Sequence, residues 1–352
     1  MIGLNTIYNI GDSLYTYKLG TTQLQPRLAT QLPKISSDGL TYDIQIFSNG
    51  ANLFNAFLTH AIDVAYFSLE PAQIESLKQE ALIGKWQVIT SPGTTVNYLG
   101  LNLRHKPLDN PIVRQAIAML IDRKLLNQRV LKNQAEPLYS LVPNVFDVYK
   151  SVFKTHYGDG NIEKAKHLLK QAGYSSNNPL KLQIWYPSTS TTRGLVAQTL
   201  KAFVDQNLGG VMQLEVNTIE STSYLKNIGK GLYQMFLLEW YPDFLDPDNY
   251  IQPFVECSEG SLEKGCKEGG SQTLGSFYYK ERVNQLIDQE RKTQNPKVRA
   301  AIFAEIQEII AEDIPYIPLW QSKNYIFAHQ SLIDVNIEPN YSLPFWKIQK
   351  SH

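Results

Sequence analysis

Cysteine is nearly absent: Cys257 and Cys266 are the only two in 352 residues. A disulfide framework therefore does not organise this chain. No histidine or second cysteine pair lies near them in sequence, which argues against a metal site there. The six histidines, at 60, 105, 156, 167, 329 and 352, show no H-x-x-H or H-E-x-x-H spacing. Excess charge is absent too. Lys+Arg and Asp+Glu number 33 each, so no bulk basic field exists to attract nucleic acid or anionic lipid. No apolar run reaches membrane-spanning length, and no repeat or low-complexity tract is present. A nucleophile elbow, a phosphate loop and a dinucleotide fingerprint are all missing, so the reading is of a non-enzyme with no cofactor. The opening stretch, MIGLNTIYNIGDSLYTYKLG, has no basic start, and Asn5, Asn9 and Asp12 interrupt any apolar segment. It does not read as a secretion signal, and as written the chain is expected to stay soluble where it is made.

What is present points to a globular chain of two or three structural units, 43% apolar and 19% charged. Tyrosine is plentiful, at 20 residues, which suits a binding cleft and equally suits large sheets. Strands are expected at 40–47, 95–103, 180–187, 211–219, 232–240 and 317–328. One long helix is expected over 110–131, capped by Asn110 with Pro111 in its first turn. A second helix ends at Gly173, another follows STSTTRG, and two more lie between 279 and 314. Alternation of strand and helix argues an α/β fold, with a right-handed βαβ unit over 180–240.

Two loops stand out. CSEGSLEKGC places eight residues between its cysteines, in a Gly/Ser-rich stretch without helix signal. It reads as a disulfide in an oxidising compartment, or as two free thiols in a reducing one. LLEWYPDFLDPDNY, residues 237–250, puts Asp243, Asp246 and Asp248 in a stiff aromatic loop with no lysine or arginine. Asp246 and Asp248 flank Pro247 and read as turn and cap residues. Asp243 follows Trp240, Tyr241 and Pro242; it reads either as another turn aspartate or as a carboxylate held for a cationic ligand.

Several segments together resemble one family. They are AIDVAYFSLEPAQIESLK, YLGLNLRHKPLDNPIVRQAIAMLIDRKLL, EKAKHLLKQAGY, LLEWYPDFLDPDNY and IFAEIQEIIAEDIPYIPLW. The resemblance is to the peptide-binding extracytoplasmic solute receptors of ATP-driven (ABC) importers, solute-binding protein family 5, which includes dipeptide- and oligopeptide-binding proteins. It covers the chain from about residue 5 onward. Two departures accompany it: no leader, and only residues 47–60 between SSDGLTYDIQI and AIDVAY, where the family carries a long stretch. The chain thus resembles a member shortened in its first lobe, with the smaller extra domain largely missing.

The resemblance implies a two-lobed type II periplasmic-binding-protein fold. The first lobe, discontinuous, takes residues 1–102 and 317–352; the second takes 103–316. It implies non-covalent binding of a short peptide between lobes, presentation to permease subunits in the membrane, and a periplasmic, monomeric protein. A peptide's ammonium needs a fixed carboxylate if it is to be desolvated. The family's aspartate three residues after a strand-end tryptophan falls on Asp243, after Trp240. Tyr241 and Trp240 exclude water there. Arg193, in the strand-to-helix turn, falls where dipeptide-binding relatives grip the peptide carboxylate; a solvated surface arginine is the other reading. Tyr98, Trp185 and Tyr186 read as cleft lining or as sheet packing. The backbone of 237–240 suits pairing with an extended peptide. Arg114, Asp122 and Arg123 read as structural ion pairs and caps. The rival readings are a relative that takes metal chelates, haem or oligosaccharides on this fold, and a non-transporting scaffold or remnant.

Overall fold

The structure, a computed structural model, describes residues 15–17, 24–26, 50–66, 69–337 and 343–350. The strand expected over 40–47 lies outside them. The chain divides into two compact units, residues 1–94 with 323–352 and residues 95–322. The expected second lobe, 103–316, falls wholly inside the second unit.

In the first unit, β1 (Tyr15–Tyr17) pairs antiparallel with β2 (Leu24–Pro26). Helix α1 (Gly50–Leu58), strand β3 (Val64–Tyr66) and helix α2 (Pro71–Leu82) lead to the start of β4 (Trp86–Leu101). Helix α2 starts where it does because Pro71 suits a first turn and the Glu70 N–H is taken by the Gln73 side chain at 2.8 Å. Leu53, Phe57, Leu77, Trp86 and Phe327 are buried together, with the Phe57 and Trp86 rings 4.5 Å apart.

The second unit carries the larger core. Its first expected helix is in fact two, α3 (Pro111–Leu120) and α4 (Arg123–Arg129). Asn110 caps α3 by accepting from Ile112 N–H at 2.9 Å. The periodic stripe of Val113, Ile117, Leu120 and Ile121 is buried as expected, yet it hides a break. Ile121 is extended, and the carbonyls of Met119 and Ile121 accept from Asn161 and Gly160 instead of from a next turn. Asp122 then caps α4 through Leu125 N–H at 2.9 Å. Arg123 is buried, donating to the carbonyls of Leu138 and Pro318 and pairing with Asp159 at 3.2 Å. Arg114 donates to the carbonyls of Leu108, Asp109 and Asp313.

Strand β5 (Ala135–Pro137) and helices α5 (Val152–Tyr157) and α6 (Ile162–Gln171) follow. Gly173, at φ +90, ends the α6 turn in a conformation that favours glycine. Next come β6 (Leu180–Pro187), α7 (Thr191–Asn207), β7 (Met212–Ile219), α8 (Ser221–Gly229) and β8 (Met235–Trp240). Helix α8 was not legible as an element; its nine residues are too few for a clear period. β6 runs parallel to β7 from Leu180–Met212 to Pro187–Ile219, and parallel to β8 at Ile184–Met235 and Trp185–Phe236. β8 lies antiparallel to β4, from Val96–Trp240 to Leu101–Met235. After β8 come a 3₁₀ turn (Pro247–Tyr250), α9 (Gln252–Val255), the β9 (Glu259–Ser261) and β10 (Gly265–Glu268) hairpin, and α10 (Gly270–Thr273). Cys257 and Cys266 are joined by a disulfide, Cα–Cα 5.7 Å. Helices α11 (Glu281–Lys292) and α12 (Pro296–Asp313) precede β11 (Tyr316–His329), whose last residues return to the first unit. In the second unit the strand order is β11-β4-β8-β6-β7, with β5 also paired to β11; in the first unit the end of β11 pairs with β3. A short β12 (Leu332–Ile333) and β13 (Gln349–Lys350) pair close to the end of the chain. Among the described residues, no helix is long and apolar enough to cross a membrane.

Candidate functional site

The six expected ligand-contacting residues all belong to the second unit, on β4, β6, β8, the first turn of α7 and the loop after β8. β8 organises them. Its pairing with β4 runs to its last residue, whereas its register with β6 ends at Trp185–Phe236. Leu238, Glu239 and Trp240 therefore extend past β6, with their outer backbone edge beyond that ladder.

The loop that follows β8 contains three aspartates in two different situations. Asp246 caps the 3₁₀ turn by accepting from Asp248 N–H at 2.9 Å. Arg299 of α12 grips both Asp246 oxygens, at 2.7 and 2.8 Å. Burial pushes the Asp246 carboxyl up, but the Arg299 hydrogen bonds outweigh it and hold the pKa below its ordinary value. Asp248 is buried and accepts two donors from Arg291 of α11 on a single oxygen, at 2.7 and 3.0 Å. Asp243 differs. It is exposed, and among the described residues no hydrogen bond or ion pair engages its carboxylate. Its backbone is nevertheless fixed: buried Asn249 accepts Asp243 N–H at 3.1 Å and Trp240 Nε1–H at 3.0 Å through the same oxygen. Trp240 is half-buried and meets Phe254 edge-to-face at 5.6 Å. Tyr241, between Trp240 and Pro242 in the chain, is 38% exposed.

Tyr98 is corrected as a lining residue. Its relative exposure is 0%, its ring packs at 5.0 Å on Phe254 and 5.4 Å on Tyr316, and burial raises its pKa well above the usual value. Sheet packing, the other reading of Tyr98, describes it; β4 is buried at every position from Gly93 to Leu101, so the sheet is covered on both faces there. Trp185 is half-buried and stacks on Tyr233 at 4.7 Å, while its carbonyl accepts from the Tyr224 hydroxyl at 2.9 Å. Tyr186 lies against the first turn of α7, where a Cβ on Gly194 would come within 3.0 Å of its ring.

Arg193 is buried, not a solvated surface residue. Ser190 caps its helix at Arg193 N–H, and its guanidinium meets Glu239 of β8 at 2.7 Å. Burial works to lower the Arg193 pKa; the charge and hydrogen bond of Glu239 outweigh it and hold the cation above its ordinary value. The partners Glu239, Asn249, Arg291, Arg299 and Glu290 were not picked out from sequence. Glu239 and Asn249 carried a weak local signal, being polar residues beside the Trp–Asp pair. The arginines are separated from their aspartates by 43 and 53 positions, with no local cue.

Comparison with known proteins places the chain in a family. The model of the bacterial extracellular solute-binding proteins, family 5, middle region, matches residues 43–261. Di/tripeptide-binding protein 2 of Pseudomonas aeruginosa is 26% identical over 257 residues, 71% of this chain and 44% of that protein. The dipeptide-binding protein of Escherichia coli is 25% identical over 265 residues, 75% of this chain and 45% of that protein. The Helicobacter pylori periplasmic binding protein DppA, solved with the peptide STSA, superposes with a TM-score of 0.72 at 25% identity, covering 87% of this chain and 56% of that one. The chain thus spans about half the length of the relatives it matches.

Proposed function

From the premise that this chain belongs to the bacterial extracellular solute-binding proteins of family 5, we propose that it is a substrate-binding subunit of an ATP-driven importer that takes short peptides. The observation that carries this reading is the contrast within one loop. Two of its aspartates are paired with arginines, and the third, Asp243, is held by its backbone with its carboxylate open to solvent. A fixed, unpaired carboxylate beside Trp240 and Tyr241 suits the α-ammonium of a peptide, which can be desolvated there because the opposite charge is already in place. The free outer edge of Leu238–Trp240 suits main-chain pairing with an extended peptide, which recognises any sequence.

Arg193 enters this reading as the partner of Glu239. The peptide carboxylate would have to displace Glu239 to reach it, so Arg193 sets the position of the β8 end first and contacts ligand only by exchange. The names of the relatives in Pseudomonas aeruginosa and Escherichia coli, both peptide-binding proteins, support the ligand class. The same reading has the chain release its ligand to permease subunits in the membrane, with ATP hydrolysed on other subunits.

Calorimetric titration with a mixed di- to pentapeptide pool tests the reading. Binding at micromolar strength or tighter is expected for the native chain. Asp243→Ala and Asp243→Asn should weaken it by about 2–5 kcal/mol, as should N-acetylation of the peptides. Equal affinity for free and N-acetylated peptides would refute the assignment of Asp243.

A further inference from the structure

The aspartate loop is tied to α11 and α12 by a charge cluster whose composition does not balance. Asp246, Asp248 and Glu290 supply three carboxylates, and Arg291 and Arg299 supply two guanidinium groups, so one negative charge is left over. Arg299 bridges Asp246 and Glu290, reaching Glu290 Oε2 at 2.8 Å. Arg291 takes Asp248 Oδ2. Two oxygens remain: Glu290 Oε1 and Asp248 Oδ1 are both buried and receive no hydrogen bond among the described residues. The Glu290 side chain has 0% exposure and that of Asp248 10%. Two acceptor-only oxygens left bare in a low-dielectric interior are costly, and one proton between them removes both the bare oxygens and the surplus charge.

We propose that Glu290 and Asp248 share a single proton, and that this proton closes the cluster holding the Asp243 loop in its ligand-ready position. Glu290 is a positioning residue here; it touches no ligand. The proposal rests on the peptide-binding reading only for its consequence on affinity. The groups that face Glu290 are Asp248 from the 3₁₀ turn, Arg299 from α12 and Arg291 from its own helix, with Asp246 behind Arg299 and Asp288 beside Arg291. Burial first, and the Asp248 charge second, push the Glu290 carboxyl up to about 7, against an ordinary 4.5. The sign follows: the native chain holds a proton that the unfolded chain releases. The cluster's contribution to stability is complete below about pH 4.5 and is lost as pH rises through about 7.

Glu290→Gln tests this, because the amide oxygen still accepts from Arg299 while its N–H₂ donates permanently to Asp248. Asp248→Asn offers the mirror arrangement and serves as the second variant. Urea midpoints without ligand are measured from about pH 5.5 to 8.5, and titrations with the peptide pool are run over the same range. The native midpoint should fall from pH 5.5 to about 7 and level off above that, while affinity holds below about 7 and then falls by up to about tenfold per pH unit. Both profiles should flatten to within about twofold in the variants. The ammonium titration of the peptides is common to all three proteins and cancels. Profiles that stay parallel to the native one in both variants would overturn the shared proton. A flattened stability profile with no peptide heat in any protein would uphold the shared proton and sink the peptide reading instead.

Discussion

Asn249 is the residue through which the loop can be loosened without touching a charge. Its side-chain oxygen accepts from Trp240 Nε1 at 3.0 Å and from Asp243 N–H at 3.1 Å, and the residue is buried. Asn249→Ala removes this one acceptor and with it both bonds. At a net value of roughly 0.5–1.5 kcal/mol for each bond, the second unit should lose about 1–3 kcal/mol of stability. The Asp243 carboxylate remains present and exposed, but its backbone is no longer pinned. Ordering even one such residue on binding costs about 1–2 kcal/mol, so peptide affinity should fall by roughly five- to thirtyfold. Trp240→Phe deletes one of the two donors and keeps the other bond. Urea denaturation of Asn249→Ala, Trp240→Phe and the double variant then gives a cycle, with a coupling of about 1 kcal/mol expected. The reasoning fails if Asn249→Ala lies within about 0.5 kcal/mol of the native chain with unchanged affinity, or if the cycle shows no coupling.

Two further outcomes concern the frame around the site. Gly100 of β4 faces Phe236 of β8 in register, and an added Cβ would overlap the ring; Gly100→Ala should therefore cost about 1–3 kcal/mol in urea, with partial recovery when combined with Phe236→Leu, and no loss would mean the strands separate freely. Reducing the buried Cys257–Cys266 disulfide, whose sequence separation is 9, should lower stability by about 2.5–3 kcal/mol, and an unchanged urea midpoint in reductant would show that the hairpin is held by its packing alone.

The sequence was most legible where one period governed a whole element. β6 (Leu180–Pro187) alternates in burial from Leu180 to Ile184, and its bounds match its sequence pattern. Pattern failed where tertiary bonds interrupt an element that still looks periodic. The stripe from Val113 to Ile121 continues through the α3–α4 break, because the carbonyls of Met119 and Ile121 find their donors in the 160–161 turn. In the candidate site, Trp240 and Asp243 were readable as a pair three residues apart. The status of each aspartate was not. Which carboxylate is free and which is paired depends on Arg291 and Arg299, placed by helices far along the chain.

That dependence also explains why this loop needs so many charges to present one. A lone aspartate on a strand-end loop would be mobile, and each ligand would have to order it. Asp246 and Asp248 prevent this by anchoring the loop to α11 and α12 through bidentate and paired arginine contacts. The anchoring charges must themselves be neutralised, or their field would compete with Asp243 for the ligand's cation. Two arginines cancel two of the three anchoring carboxylates, and the proton assigned to Glu290 and Asp248 cancels the third. Asp243 is then left as the loop's uncompensated carboxylate, directed at solvent while its neighbours are neutral in sum. If Asp243 meets the ligand's cation as proposed, whatever adds or removes charge around Glu290 changes what Asp243 attracts.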